Sequence, residues 1–92
     1  MIAERNATGD IRGQIKRFIS ENFMSPGDEA NLRDDASLLE EGIMDSTGVL
    51  NLVMFIEETF GIEVKDEELV PENLDSVNNI VVFVGKKTRR AV

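Results

Sequence analysis

Ser46 is the residue whose type and position are best suited to carry chemistry. It lies where a polar loop ending in Met44-Asp45 gives way to an apolar helical pattern. A hydroxyl at a helix start stands at the surface, beside unpaired backbone N–H groups and the positive end of the helix dipole. That position favours a phosphate ester. The alternative is that Ser46, or Asp45 before it, serves only as the N-cap of the helix, a common role for both residue types.

The composition limits which chemistry the chain can perform alone. Its 92 residues include no Cys and no His. Without Cys there is no disulfide framework, thiolate nucleophile or thiolate metal site. Without His the commonest general base is missing, and a Ser-His-Asp triad is excluded. We therefore expect no catalytic residue and no metal site, and we expect any reactive group to be supplied from outside the chain.

The charge balance points to protein partners. The formal net charge is −8 and the pI is about 4.4, which argues against nucleic-acid binding and favours basic partner surfaces. No apolar run approaches the ~20 residues of a membrane span, and residues 1–10 lack the apolar centre of a signal peptide. We expect a monomeric cytoplasmic protein that does not insert into membranes.

Helical spacing of apolar residues organises most of the sequence. Three stretches show it, with inward positions at Ile11, Ile15, Phe18 and Ile19; at Val49, Leu52, Val53, Ile56 and Phe60; and at Val77, Ile80, Val81 and Val84, with Phe83 at the edge of the last stripe. The second helix is predicted from Ser46 to Phe60, ended by Gly61. Acids at 66–68, before Pro71, predict one short helical turn.

A long connection separates the first two helices. Residues 31–44 lack a regular pattern, but their spaced apolar residues predict that the segment is ordered; Leu32, Leu38, Leu39 and Ile43 are expected to pin it to the core. The sequence thus predicts an all-α fold, a small three-to-four-helix bundle with a long first connection. We expect a single domain over 1–92, with a core at about 10–85 and a basic tail at 86–92 that frays. Asp10 is expected to be the N-cap or a first-turn acid of the first helix.

Several motifs, in this order, resemble the acyl carrier protein family. They are Asp45-Ser46, the apolar stripe of the second helix, the sequence Glu-Glu-Thr-Phe-Gly-Ile-Glu-Val at 57–64 and the acidic turn, and together they span roughly residues 11–84. The resemblance implies that Ser46 receives 4′-phosphopantetheine, covalently and from coenzyme A, and that Asp45 is recognised by the phosphopantetheinyl transferase. It implies a carrier rather than an enzyme, which presents an acyl or aminoacyl thioester to a loading ligase and downstream transferases.

The resemblance also implies a partner-binding face on the second helix. Leu50 and Met54, one turn apart, form its apolar pair and are expected to be exposed, whereas Val53 and Ile56 turn inward. The remaining residues assigned to this face are Thr47, Glu57, Glu58 and Ile62. Where the family usually has Leu and early acids, this chain has Thr47, Gly48 and Asn51. These departures favour a specialised carrier over a housekeeping carrier of fatty-acid synthesis.

Other hypotheses stay open at this point. The chain is alternatively a non-covalent acidic interaction module with a carrier-like fold, and Glu57 and Glu58 are alternatively an ordinary solvated helix face. A calcium-binding protein is disfavoured because the EF-hand spacing of acids, Gly and a distal Glu is absent. The cargo is not identified, although Thr47 is expected to make a cavity mouth more polar and so to favour a small or polar cargo held outside the core.

Overall fold

Helices form the regular structure of the described part of the chain. The computed structural model describes residues 11–28 and 31–90. The helices are α1 (Ile11–Phe23), α2 (Ser46–Phe60), α3 (Pro71–Leu74) and α4 (Val77–Arg90), with a 3₁₀ turn at Asp66–Glu68. No strand occurs in these two ranges, so the predicted all-α bundle is confirmed. Asp10, expected to cap the first helix, and residues 91–92 lie outside the described residues.

The bounds of α2 are those predicted from the sequence. Asp45 has extended backbone geometry, and its carboxylate accepts a hydrogen bond from the N–H of Gly48, so Asp45 is the N-cap. At the other end Gly61 adopts the left-handed conformation, with φ of 67°, and its N–H donates to the carbonyl of Glu57. A residue with a Cβ is strained at that φ, so glycine allows the chain to leave α2 sharply.

The core is a single cluster in which α1, α2 and α4 meet. Its buried hydrophobic members are Ile11, Ile15, Ile19, Leu32, Leu38, Met44, Leu52, Val53, Ile56, Leu74, Val77, Ile80, Phe83 and Val84. Phe83, expected only at the edge of its stripe, is inside, whereas Val49, Phe60 and Val81 are partly buried. The period of 3.6 residues therefore identified the correct faces but not the depth of each side chain.

The long connection is ordered, as predicted, but one of its expected anchors is wrong. Leu32 and Leu38 are buried, and Ile43 packs partly against the core. Leu39, however, is 42% exposed, and Met44 is buried to 4% exposure instead. The backbone N–H groups of Ile43 and Met44 both donate to the carbonyl of Leu38. That turn swings Leu39 outward and directs Met44 inward.

The fourth helix also differs from its prediction at the C-terminal end. The basic run 86–90, expected to fray, belongs to α4. Lys87 within it forms an ion pair with Glu68 of the 3₁₀ turn, with Nζ 2.8 Å from Oε1. This long-range partner, 19 residues away in sequence, gives the last turns of the helix a tertiary contact that local sequence does not show.

A second charged cluster ties the long connection to two helices. The carboxylate of Asp34 accepts hydrogen bonds from Arg12 and Lys16 of α1, at 2.6 and 2.7 Å, and its carbonyl accepts from the N–H of Asn78 of α4. The hydrogen bond from Lys16 is the largest influence on the pKa of Asp34; together with Arg12 it outweighs partial desolvation and lowers that pKa. The folded state therefore favours the ionised form of Asp34.

Asp34 should make the free energy of unfolding depend on pH in the acid range. Because its pKa is lowered by folding, the stabilisation is complete above the pKa of the unfolded chain and is lost as the pH falls through the folded pKa. Asp34→Asn should lower the free energy of unfolding at pH 7 and flatten its decline in acid, measured by urea unfolding from pH 7 to pH 2. The neighbour Asp35, whose side chain is 70% exposed, provides the control: Asp35→Asn should keep the wild-type acid profile. Equal flattening by both substitutions would contradict this assignment.

Candidate functional site

The Ser46 hydroxyl is presented at the surface and has no capping role. Ser46 is the first residue of α2 and is exposed. Asp45 caps the helix through the N–H of Gly48, at 2.8 Å, so of the two candidate caps Asp45 fills this role. Within the described ranges no hydrogen bond engages Ser46 Oγ. The nucleophilic atom of the candidate site is therefore free, while the residue before it fixes the helix start.

The first turn of α2 also offers donors to an anion attached at Ser46. Helix geometry leaves the N–H groups of Ser46, Thr47 and Gly48 without intrahelical acceptors. Asp45 takes the one from Gly48, which leaves two beside the Ser46 side chain at the positive end of the helix dipole. These groups suit a phosphodiester. The charge of Asp45 opposes such an anion, so the acid serves the helix and not the phosphate.

An apolar pocket of about 250 Å³ opens beside Ser46. Its walls come from α2, from the long connection and from the segment around α3; they are Leu39, Ser46, Val49, Leu69, Val70, Pro71, Leu74 and Asp75. Leu39, whose exposure is unexpected from the sequence, forms part of this wall. Thr47, expected to make a cavity mouth more polar, is exposed on the first turn of α2 and is not among the residues that line this pocket. A pocket with these walls can shelter an apolar group next to Ser46.

Gly48 allows α1 to pack against the first turn of α2. A Cβ built on Gly48 would lie 2.8 Å from Cε1 of Phe23 and 3.3 Å from Cγ of Met44. From the sequence, Gly48 is simply a poor helix former. The structure shows that Gly48, two residues after Ser46, leaves room for the Phe23 ring because it has no side chain. No sequence signal distinguishes this close approach from an unfavourable choice of residue.

Gly48 and Gly85 form a matched pair for testing this contact. Both lie within helices, but a Cβ on Gly85 would meet no heavy atom within 4 Å. Gly85→Ala should raise the free energy of unfolding by about 0.5–1 kcal/mol through helix propensity alone. Gly48→Ala should raise the free energy of unfolding by less than Gly85→Ala does, or should lower it, because the Phe23 ring must move. Thermal unfolding of both variants checks this; equal stabilisation would show that Phe23 yields without cost.

The outward face of α2 agrees with the sequence prediction for its apolar pair. Leu50 and Met54 are 54% and 58% exposed, whereas Val53 and Ile56 are buried. Thr47 and Glu58 are also exposed. The other two residues assigned to this face are partly engaged elsewhere. The carboxylate of Glu57 accepts a hydrogen bond from the N–H of Val64, at 2.9 Å, and Ile62 packs partly against the core.

Two truncations should separate the outer face from the core. Ile56→Ala leaves a cavity at a fully buried position and should cost about 2–4 kcal/mol of unfolding free energy. Leu50→Ala removes an exposed side chain and should leave the melting temperature nearly unchanged. Calorimetry of the two variants provides the measurement. Similar destabilisation by both would mean that Leu50 contributes to the core.

The chain is similar to known carrier proteins over most of its length. The phosphopantetheine attachment site family matches residues 14–84, which places the free serine within a carrier domain. The acyl carrier protein of Thermotoga maritima is 33% identical over 78 residues, covering 85% of this chain and 91% of the relative. That of Buchnera aphidicola subsp. Baizongia pistaciae is 34% identical over 84% of this chain and 94% of its own. The chain belongs to the acyl carrier protein family.

Membership of the family fixes the general role of the protein. It bears a covalently attached 4′-phosphopantetheine and acts as a carrier rather than a catalyst. A phosphopantetheinyl transferase and acyl-handling enzymes are its general partners. The described helices include none long and apolar enough to cross a membrane, and no cluster of three potential metal ligands occurs in that part of the chain.

Proposed function

We propose that Ser46 is the attachment residue and that the protein carries an acyl or aminoacyl group there as a thioester. The observation that carries this proposal is the free, exposed Ser46 hydroxyl on the first turn of α2, with the capping role taken by Asp45. The pocket beside Ser46 adds a place where an apolar cargo is sheltered.

The residues of the chain fit the arm that the family implies. When bound, the arm supplies the thiol that the chain lacks. Ser46 provides the ester oxygen, and the first-turn N–H groups favour the phosphate. Asp45 holds that turn in place and remains exposed for recognition by the transferase. With neither Cys nor His in the sequence, the chain offers no thiolate or imidazole that would attack the cargo.

Ser46→Ala should abolish attachment of the arm. Wild type and variant are incubated with coenzyme A, Mg²⁺ and a promiscuous phosphopantetheinyl transferase, and their intact masses are measured. Only the wild type should gain the mass of the arm, and the variant should lose little stability because Asp45 provides the cap. Ser25→Ala, at an exposed loop serine, is the control and should be modified normally. Attachment to Ser46→Ala would show that another residue is used.

The same masses decide between the proposal and its alternative. The alternative from the sequence, a non-covalent acidic interaction module, does not fit the covalent arm of the family. Such a module would leave the wild type unmodified by any transferase, including after co-expression. The side chain of Ser46 would then be a solvent-exposed helix residue without a chemical role. Modification of the wild type at Ser46 excludes that alternative.

The outer face of α2 supports a specialised role and a defined docking surface. Leu50 and Met54 present an exposed apolar pair, with Glu58 one turn beyond Met54. Near Ser46 the same face is uncharged, with Thr47 and Asn51, so a strongly basic partner gains little there. We assign this face to a dedicated loading ligase or transferase. Loading of the modified protein by a panel of acyl- and aminoacyl-adenylating enzymes tests this; efficient loading only by general fatty-acid enzymes would contradict it.

A further inference from the structure

The Glu68–Lys87 ion pair is the most sheltered charged contact among the described residues. Lys87 Nζ lies 2.8 and 3.0 Å from the two carboxylate oxygens of Glu68, and the side chains are only 13% and 22% exposed. Nζ also lies 5.8 Å from the centroid of the Phe83 ring. By contrast, the Arg33–Asp35 pair is 3.7 Å long and 74% and 70% exposed. A sheltered pair is screened less by salt than an exposed one.

Glu68 organises the turn in which it lies. Its Oε1 accepts the N–H of Lys65 at 2.9 Å, and its carbonyl accepts the N–H of Val70 and the side-chain amide of Asn73, both at 2.9 Å. The backbone hydrogen bond from Lys65, followed by the one from Lys87, lowers the pKa of Glu68. The positions of the next two residues therefore follow the position of Glu68.

The three residues that follow Glu68 form one wall of the pocket beside Ser46. Leu69, Val70 and Pro71 line it from this turn, whereas Ser46 and Val49 line it from α2. The far end of the wall is held by Leu74, which is 2% exposed. At the near end, the side chain of Glu68 connects the turn to α4 through Lys87. The ion pair therefore ties this wall of the pocket to α4.

We infer that the Glu68–Lys87 pair limits the width of the pocket beside Ser46, and thereby favours short acyl cargo over long. The inference rests on the proposed attachment at Ser46. A volume of about 250 Å³ holds a short apolar group, and each further methylene is worth about a fourfold factor in affinity only if it is buried. With the wall tied to α4, additional methylenes remain in water. Glu68 and Lys87 are positioning residues, since neither lines the pocket.

The first test measures the wall itself and needs no cargo. Amide hydrogen exchange is followed by NMR in unmodified wild type and in Lys87→Met, which keeps the apolar stem and removes the charge. Leu69 and Val70, whose N–H groups are hydrogen bonded within the turn, should exchange about five- to tenfold faster in the variant. Exchange at the buried residues Val53 and Ile56 should be unchanged. Lys86→Met, at an exposed neighbouring lysine, should match the wild type.

The second test measures cargo shelter. Butanoyl and dodecanoyl thioesters of the modified protein are cleaved by hydroxylamine, with loading verified by mass and folding by circular dichroism. The Lys87→Met variant should protect the dodecanoyl thioester at least about fourfold better than wild type, with no gain for butanoyl. Glu68→Gln, which still accepts the N–H of Lys65, should shift the ratio similarly. The double variant should add little, since both changes break one contact.

Several results would overturn the inference. Unchanged exchange at Leu69 and Val70 would show that the pair does not hold the wall. Faster exchange with an unchanged cleavage ratio would show that the wall does not select cargo. An equal shift in Lys86→Met would reduce the effect to net charge. Failure of the proposed function would instead appear as absence of the arm on wild-type Ser46, while the exchange measurement would still report on the pair.

Discussion

Asp75 is the residue on which the geometry of the site most depends. Its carbonyl accepts the N–H of Leu38 at 2.7 Å, and its carboxylate accepts the N–H of Leu39 and the hydroxyl of Ser37. The carbonyl of Leu38 in turn accepts the N–H groups of both residues that precede Asp45. A short series of hydrogen bonds thus runs from the α3–α4 junction to the cap of α2. It fixes where Ser46 emerges, and Asp75 itself lines the pocket.

The same hydrogen bonds explain how a small domain holds the long irregular connection, residues 31–44, in a defined place beside the site. A chain of this size has a modest core, and the connection is held by polar contacts as well as by apolar burial. Buried Leu38 supplies an apolar anchor, and Asp75 satisfies the backbone groups beside it. The Asp34 cluster provides a second attachment to α1 and α4. Polar contacts of high geometric specificity therefore complete what the hydrophobic core begins.

Local patterns predicted the helices and the candidate serine, but not the contacts that depend on distant residues. The Asp45 cap, the Gly61 stop and the apolar stripe between them are encoded within one stretch of sequence, so the limits of α2 could be predicted. The burial of Met44 in place of Leu39 depends on a turn closed by the Leu38 carbonyl. The role of Gly48 depends on Phe23, and the order of the basic run depends on Glu68. Phe23 and Glu68 are distant in sequence from Gly48 and Lys87. The Leu38 turn is short, but the N–H of Leu38 is held by the distant carbonyl of Asp75, so no local rule selects these contacts.

One side of α2 lines the pocket and another faces solvent, and this division bears on how a cargo is held and released. Successive residues of a helix point about 100° apart, so Val49 lines the pocket while Leu50 faces solvent. A partner seated on Leu50 and Met54 therefore does not have to displace a cargo from the pocket in order to bind. Under the proposed function, docking of a partner and release of the cargo are separate events, and release requires the cargo to leave the apolar walls of the pocket. The strength of those apolar contacts, in addition to the affinity of the partner, then contributes to the rate at which the cargo is released.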